Sequence, residues 1–319
     1  MGIKNLNKLL KSQCKNSIQI ISLSELSGKT IAIDISIYLY KYTTDNSLIE
    51  NIFQMLSIFY YYQIKPIFIF DGKPPPEKKM ELIKRIKDKK IAEQEYLVLK
   101  EKLDDKDICL DHDKKKDLMK SMYFLKKQFV SLKKEQIDKV KELMDSYGAC
   151  YLDAPQEADE LCAILVVKNK VWACLSEDTD LFVYGCPRVL RYLSLLNHTA
   201  VLYDMEKILC ELGLTQDQFR EICILSGTDY NSSNTHCLEK LLDLYKKFSR
   251  QCLDNKKTFY EWIALDCQIN LQSINDLFNI NEKKENLSGF IENMEKNSGK
   301  KCEIKMRAIL EENGFLFVK

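Results

Sequence analysis

Seven carboxylates in this sequence stand where short apolar runs or helical stretches break off, and their placement points to one kind of chemistry. Asp34 closes TIAID, Asp71 closes KPIFIFD, and Asp178 and Asp180 end the run KVWACLSEDTD. Glu157 and Asp159 open a helical stretch in YLDAPQEADELCAILVVK, and Asp229 lies in ILSGTDYN, just past the end of another. A single Asp behind a strand is ordinarily a cap or turn residue, and acids in a first helical turn ordinarily answer the helix dipole. Three strands ending alike, one with a second carboxylate two positions on, exceed what capping requires. Gathered in one place the seven charges conflict, because like-charged carboxylates at close range cannot all stay ionised. Divalent cations resolve the conflict. Oxygen donors without His or Cys suit Mg²⁺, with Mn²⁺ as a substitute, rather than zinc. Two such ions about 4 Å apart serve an in-line displacement at phosphorus, so phosphodiester hydrolysis is the reaction this pattern predicts.

Bringing these groups together requires a sheet whose strands end on one side. TIAID, KPIFIFD and KVWACL are apolar at consecutive rather than alternate positions, the pattern of strands buried on both faces. Segments 46–62, 139–147 and 157–168 are long enough for crossover helices. The expectation is an α/β fold, a mainly parallel central sheet sandwiched by helices, with the acids beyond the carboxyl ends of the strands where such sheets place their ligand crevice.

Behind Asp71 the chain passes Gly72 and three prolines into a Lys- and Glu-rich, helix-prone segment reaching about residue 140. Residues 73–90 hold eight basic side chains, among them Lys78, Lys79, Lys84 and Arg85, against three acidic ones. A solvated helix accounts for such a run by itself. Its departure from the sheet at Asp71 suggests a further use, holding a phosphodiester chain, with Lys79 and Lys84 as nucleic-acid contacts and one or two cations at the scissile phosphate. Lys78 and Arg85, seven apart, fall on one side of a helix. The whole-chain net charge is only +1, from 48 Lys and Arg against 47 Asp and Glu, so the electrostatic case rests on that local cluster. Twelve cysteines with no C-x-x-C match neither a zinc set nor a small disulfide scaffold and read as core thiols of an intracellular protein. The most apolar early stretch is interrupted by Gln54, Ser57, Gln63, Lys65 and Pro66, so no membrane span is expected, and MGIKNL lacks a signal pattern.

The blocks MGIKNLNKLL, IAIDISIYLYKY, FDGKPPPEKKMELIKR, YLDAPQEADELCA, SEDTDLFVYG and LSGTDYN occur in the order and at roughly the spacing of the flap endonuclease family. The sequence resembles that family of XPG-type, structure-specific 5′ nucleases over residues 1 to about 230, as a short divergent member. The resemblance implies a PIN-like 5′ nuclease fold with a helical arch over the site. It divides the chain into an N-terminal nuclease region (1–76), an arch (77–140), an internal nuclease region with a divergent hairpin-helix segment (141–250) and a C-terminal helical extension (251–319). All seven carboxylates coincide with the family's metal-site acids, Asp159 standing where the common motif has Glu. Lys78 and Arg85 match the two residues that contact the scissile phosphate, Tyr40 a stacking aromatic near the site, and Gly2, once Met1 is removed, a position close to the substrate. The implied activity is metal-dependent cleavage of DNA bearing a 5′ flap or free 5′ end near a single-strand to duplex junction, in replication, repair or recombination, as a flap endonuclease or 5′–3′ exonuclease using two ions.

The match departs from the family after Asp229. A Gly-rich hairpin that grips a phosphate through potassium is expected there, but the segment reads NSSNTHCLEKLLDLYKKF, with no glycine between Gly227 and Gly289. Weaker or potassium-independent grip on the downstream duplex follows. No sliding-clamp motif appears in the last sixty residues, so clamp binding is not expected. The arch's middle, EKLDDKDICLDHDKKKD, is expected to be too polar to pack. A monomer in the nucleus or at a cytoplasmic replication site fits these features. The competing reading is a nuclease-fold protein that binds nucleic acid or protein without cleaving, from which the retained acids argue away. A phosphatase with an aspartyl nucleophile wants Asp-x-Asp after the first strand, whereas Ile35 and Ser36 follow Asp34.

Overall fold

The computed structural model describes residues 2–104, 111–231, 237–251, 259–263, 271–280 and 301–317. In chain order its strands are β1 (Ile18–Ser22), β2 (Thr30–Asp34), β3 (Lys65–Phe70), β4 (Cys150–Asp153), β5 (Ala173–Leu175), β6 (Arg188–Ser194) and β7 (Thr199–Asp204). They form one sheet in the order β1-β7-β6-β5-β2-β3-β4. The five strands from β6 to β4 are parallel, while β7 runs against both β6 and β1 at the far edge. The chain steps outward from β2 through β3 to β4 and then returns to lay β5 on the other side of β2. That reversal makes the gap between β2 and β5 the topological switch point, where a doubly wound sheet opens its crevice.

The consecutive apolar residues of the central strands are explained by two cores. Ala32, Ile67, Ile69 and Cys174 face one, and Ile31, Ile33, Phe68, Phe70, Ala173 and Leu175 face the other. Helices cover both faces: α1 (Leu6–Gln13), α2 (Ser36–Thr44), α3 (Leu48–Tyr61), α4 (Lys79–Asp104), α5 (His112–Phe129), α6 (Lys134–Tyr147), α7 (Ala158–Val167), α8 (Asp180–Tyr184), α9 (Met205–Leu212), α10 (Gln216–Ser226) and α11 (Leu238–Gln251). Leu6, Leu9 and Leu10 of α1 and the almost wholly buried α7 enter the first core, and α2, α3 and α6 enter the second. The three expected crossover helices are present as α3, α6 and α7, with α6 beginning five residues before the expected 139–147 stretch. Helix α6 buries Val140, Leu143 and Met144 in the second core, so the excursion between β3 and β4 that leaves the sheet comprises α4 and α5 alone.

Helices α4 and α5 pack on each other, with the Tyr96 and Phe129 rings 5.3 Å apart. Part of the polar stretch expected not to pack, residues 105–110, lies outside the described residues. From His112 onward the stretch is helical, because Asp111 Oδ1 accepts from Lys114 N at 2.9 Å and caps α5. At its far end α5 is fastened to the turn after α2: Tyr123 Oη donates to Asp45 at 2.7 Å and Lys126 Nζ to the Thr44 carbonyl at 2.9 Å. The helix Glu303–Glu312 returns to α6, where Cys302 N donates to Ser146 O at 2.7 Å and Leu310 is buried in the second core. The helix Glu303–Glu312 is thus part of the body built around the sheet.

Gly72 sets how closely β3 can exit beneath the loop after β4. Its N–H donates to Gln156 O at 2.6 Å, and a Cβ placed on it would collide with the Ala154 carbonyl, which is fixed backbone. Gly72→Ala should therefore destabilise the protein by about 1–3 kcal/mol, the scale for forcing a group into a packed position. Urea unfolding of the variant checks this; a midpoint matching the wild type would show that the loop yields freely.

Candidate active site

Five parallel strands end at one rim, and the segments leaving four of them, β2 to β5, carry all the acids but Asp229. Asp34, the last residue of β2, is only 4% exposed; its Oδ1 accepts from Ser36 N at 3.2 Å and its Oδ2 from Ser176 Oγ at 2.9 Å. Asp71, just past β3, accepts from Ser36 Oγ and, through Oδ1, from Ala158 N at 2.9 Å. The second bond caps α7 from a different strand, at the helix end whose dipole favours a negative group. Ser36 therefore joins Asp34 to Asp71, and Ser176 joins Asp34 to the loop after β5. In that loop Asp178 N donates to Ser176 Oγ at 3.1 Å and Asp180 N to Asp178 Oδ1 at 3.0 Å.

Glu157 is the N-cap residue of α7, and Asp159 lies in its first turn, buried. Asp229 is presented by a turn that Gly227 permits with φ 104°. Asn231 locks that turn: its Oδ1 accepts from Thr228 N at 2.7 Å and its Nδ2 donates to Ile224 O at 2.7 Å. Gly2 also meets the rim. With φ 77° it lies so close to the Asp178, Thr179 and Asp180 side-chain oxygens that a Cβ there would fall within 3.0 Å of all three. Segment 232–236, where the Gly-rich hairpin was expected to be lost, lies outside the described residues.

Crowding the acids has an electrostatic consequence. Burial, then the Asp71 charge, pushes Asp34 up to about 7, against the Ser176 hydrogen bond. Burial followed by the Asp178 charge holds Asp159 and Asp180 well above the usual carboxylate range. Burial raises Glu157 as well, opposed by Lys78.

Two cations answer the charge from the other side. Lys78 Nζ lies 2.6 Å from Glu157 Oε2 and 3.8 Å from Asp229 Oδ2, and Arg85 Nη2 lies 2.7 Å from that same Asp229 oxygen. Lys78 sits in the turn Pro76–Lys78 rather than on α4 itself, so the expected shared helix face is really a turn followed by a helix. The two side chains converge all the same. Burial alone would favour neutral Lys78, but the neighbouring acids Asp159 and Glu157 outweigh it and keep the ammonium ionised.

Tyr40 is partly exposed near the rim, its ring 5.5 Å from Lys89 Nζ and its hydroxyl within the fields of Asp71 and Arg85. Lys79 and Lys84 are exposed on α4 and touch none of the acids in the described ion pairs. Ser36, Ser176 and Tyr230 are site residues that the sequence reading passed over. The two serines stand two positions from Asp34 and from Asp178, the offset at which Ser closes a local turn with an acid. Tyr230 follows Asp229 directly; its Oη donates to Glu157 Oε2 at 3.4 Å and its ring lies 5.0 Å from Lys78 Nζ.

Among the described residues no three acidic, His or Cys side chains already close into a finished metal-ligand set. Lys78 and Arg85 occupy Glu157 and Asp229 instead. The donors nevertheless suit a hard cation: they are all oxygen, burial and mutual repulsion oppose their ionising together without one, and the buried Asp180 Oδ1 has no hydrogen-bond partner.

Comparison with known proteins agrees with this arrangement. The XPG N-terminal domain model matches residues 1–92 and the XPG I-region model residues 148–229. Flap endonuclease 1 of Glycine max is 33% identical over 252 residues, covering 73% of this chain and 62% of that protein. Flap endonuclease 1 of Homo sapiens is 31% identical over 251 residues, with the same two shares. The chain thus spans less than two thirds of the length of these relatives. Among solved structures, the catalytic core of Rad2 in complex with DNA substrate superposes with a TM-score of 0.60 at 21% identity, covering 96% of this chain and 93% of that one. The flap endonuclease of Methanococcus jannaschii gives 0.55 at 21%, covering 92% and 94%. Human GEN1 with Holliday junction DNA gives 0.58 at 19%, covering 89% and 68%. These structural likenesses establish the PIN-like nuclease fold.

Asp34 gives the site a pH signature in the absence of metal. Below about pH 4 its carboxyl is protonated in both states; between about 4 and about 7 the unfolded chain loses the proton and the folded protein keeps it. Stability contributed by the retained proton is therefore lost as pH rises through that window. Asp34→Asn, which carries no such proton, should gain on the wild type from pH about 4 to about 7 in urea unfolding with chelator present. A difference constant with pH would contradict the assigned environment of Asp34.

Proposed function

This chain belongs to the XPG family, which includes the flap endonucleases, and on that premise we propose that it is a divalent-metal-dependent, structure-specific 5′ nuclease. The observation that carries the reading is the convergence of Lys78 and Arg85 with the acids at the rim of the parallel sheet. A nuclease of this kind needs both partners: carboxylates for cations, and fixed positive donors for the phosphate. The proposed substrate is DNA with a 5′ flap or a free 5′ end. The Rad2 and GEN1 structures that share this fold are DNA complexes, which supports DNA as the ligand.

Asp34, Asp71, Glu157, Asp159, Asp178, Asp180 and Asp229 are the residues that would hold Mg²⁺, or Mn²⁺ in its place, as two ions. Bound there, the ions supply an activated water and stabilise the leaving oxygen. The remaining work belongs to the chain itself. Ser36 and Ser176 keep the Asp34 and Asp71 carboxylates oriented toward the rim. Lys78 and Arg85, once freed from Glu157 and Asp229, offer donors to the oxygens of the scissile phosphate and meet the charge that grows there. Lys79 and Lys84, exposed on α4, contact backbone phosphates further along, and Tyr40 presents a face on which a base can stack. Gly2, without a side chain, can lie directly against Asp178 and Asp180, next to where the substrate would bind.

Labelled duplexes bearing a 5′ flap, a 3′ flap or a recessed 5′ end, incubated with Mg²⁺ or with chelator, test the proposal. Chelator-sensitive cutting near the base of the 5′ flap is expected; the absence of cutting of any substrate by folded protein, even with Mn²⁺, would overturn it. Asp178→Asn should nearly abolish turnover with the fold intact. Lys78→Ala or Arg85→Ala should slow cleavage by on the order of a hundredfold, the loss for one transition-state donor, with a smaller change in affinity. A change in affinity alone would remove the two cations from the chemistry.

A further inference from the structure

The motif SEDTD holds three acids, yet only Asp178 and Asp180 reach the rim. Glu177 is engaged elsewhere. Its Oε1 accepts from Tyr192 N at 2.5 Å, its Oε2 lies 3.4 Å from Arg191 Nε, and its backbone carbonyl accepts from Arg191 Nη2 at 2.7 Å. Arg191 is 5% exposed and lies among the rings of Phe182, Tyr192 and Tyr203, 5.3–5.9 Å from each. Its Nη1 donates to Asn7 Oδ1 at 3.2 Å. That oxygen also accepts from Tyr203 Oη at 2.8 Å, and Asn7 Nδ2 donates to Tyr192 Oη at 2.6 Å.

The backbone is shaped for this contact. The pairing of β6 with β7 slips between Arg191 and Ser194, and Tyr192 takes φ 53°. A bulky residue rarely adopts that conformation, and a bulge at the end of a strand commonly re-aims side chains. Here the irregularity frees the Tyr192 N–H from the ladder and turns it onto Glu177. One cluster thus binds three elements: Asn7 on α1, the irregular end of β6, and the peptide immediately before Asp178. The N-terminal segment is drawn in by the same loop, since Thr179 Oγ1 donates to Ile3 O at 3.5 Å and Gly2 lies against Asp178 and Asp180.

We propose that Arg191 is a positioning residue: by holding both the side chain and the carbonyl of Glu177, with Asn7 as its own support, it aims Asp178 and Asp180 at the metal site. The inference rests on the proposed nuclease reading and adds residues that touch neither metal nor substrate. A guanidinium suits the task because its planar fork donates to a carbonyl and an amide oxygen while its charge faces the Glu177 carboxylate, an arrangement an ammonium cannot reproduce. Groups that orient metal ligands in this way are worth about 10–100-fold in metal affinity.

The test is calorimetric titration of Mn²⁺ into wild-type protein and into Arg191→Gln, Arg191→Lys, Glu177→Gln and Asn7→Ala, with circular dichroism and thermal unfolding confirming that each is folded. Arg191→Gln should weaken Mn²⁺ binding by about 10–100-fold, Arg191→Lys should restore only part of the loss, and Glu177→Gln and Asn7→Ala should fall between. Cleavage by the variants should require more metal and recover when metal is raised. Should Arg191→Gln fail to fold, the half-buried Glu177 and Asn7 positions decide the matter. Folded Glu177→Gln and Asn7→Ala variants that melt earlier but bind Mn²⁺ as the wild type does would overturn the inference and leave a purely structural brace. A wild-type protein that takes up no Mn²⁺ would overturn the proposed function, and this inference with it.

Discussion

The constraint on which the structure depends is the repulsion among carboxylates gathered at the end of one parallel sheet. Four of the five parallel strands, β2 to β5, lead into segments that carry these acids, and most of the acids are buried, so the electrostatic cost of ionising them together is large. Three devices offset it. Some acids are pushed toward the neutral form, Asp34, Asp159 and Asp180 being raised by burial and by neighbouring charge. Serine hydroxyls and the start of α7 donate to others. Lys78 and Arg85 neutralise Glu157 and Asp229. A charge cluster maintained against such opposition is poorly suited to stabilising a fold. It is well suited to taking up cations.

The same ion pairs connect chemistry to architecture. Lys78 and Arg85 belong to the exit from β3 and the first turns of α4, so their contacts with Glu157 and Asp229 tie the base of the helical hairpin to the sheet. The other end of the hairpin is tied to the turn after α2 through Tyr123 and Lys126. The pair α4 and α5 is therefore held at both ends by polar contacts, while few of its residues are buried. Its position answers to charge more than to packing. Gly72 and the three prolines behind Asp71 give that hairpin a close, stiff departure from the sheet.

Much of this was legible in the sequence because burial on two faces leaves a plain mark. TIAID and KPIFIF are consecutive apolar residues followed at once by an acid, and both strands and both acids lie where that pattern predicts. β4 was not legible. Its four residues, Cys150–Asp153, sit directly before the capping signals of α7 and carry no run long enough to stand out. β6 and β7 pair with each other next to the edge strand β1, and the irregularity at Tyr192 breaks the alternation that would have announced them. At the site, the seven acids were found by type and position. The serines that orient Asp34 and Asp71, and the Arg191 cluster behind Glu177, depend on contacts between residues far apart in the chain, which no local pattern records. Lys78 lies in a turn rather than on a helix because three consecutive prolines delay the start of α4.

The most direct test of the central proposal, that these acids take up divalent cations in exchange for Lys78 and Arg85, is a crystal structure of the protein grown with Mn²⁺ and recorded at the manganese absorption edge. The account predicts anomalous peaks coordinated by oxygens of the seven carboxylates, with Lys78 Nζ withdrawn from Glu157 and Arg85 from Asp229. Crystals of folded protein without such peaks, in which both ion pairs persist at high Mn²⁺, would contradict it.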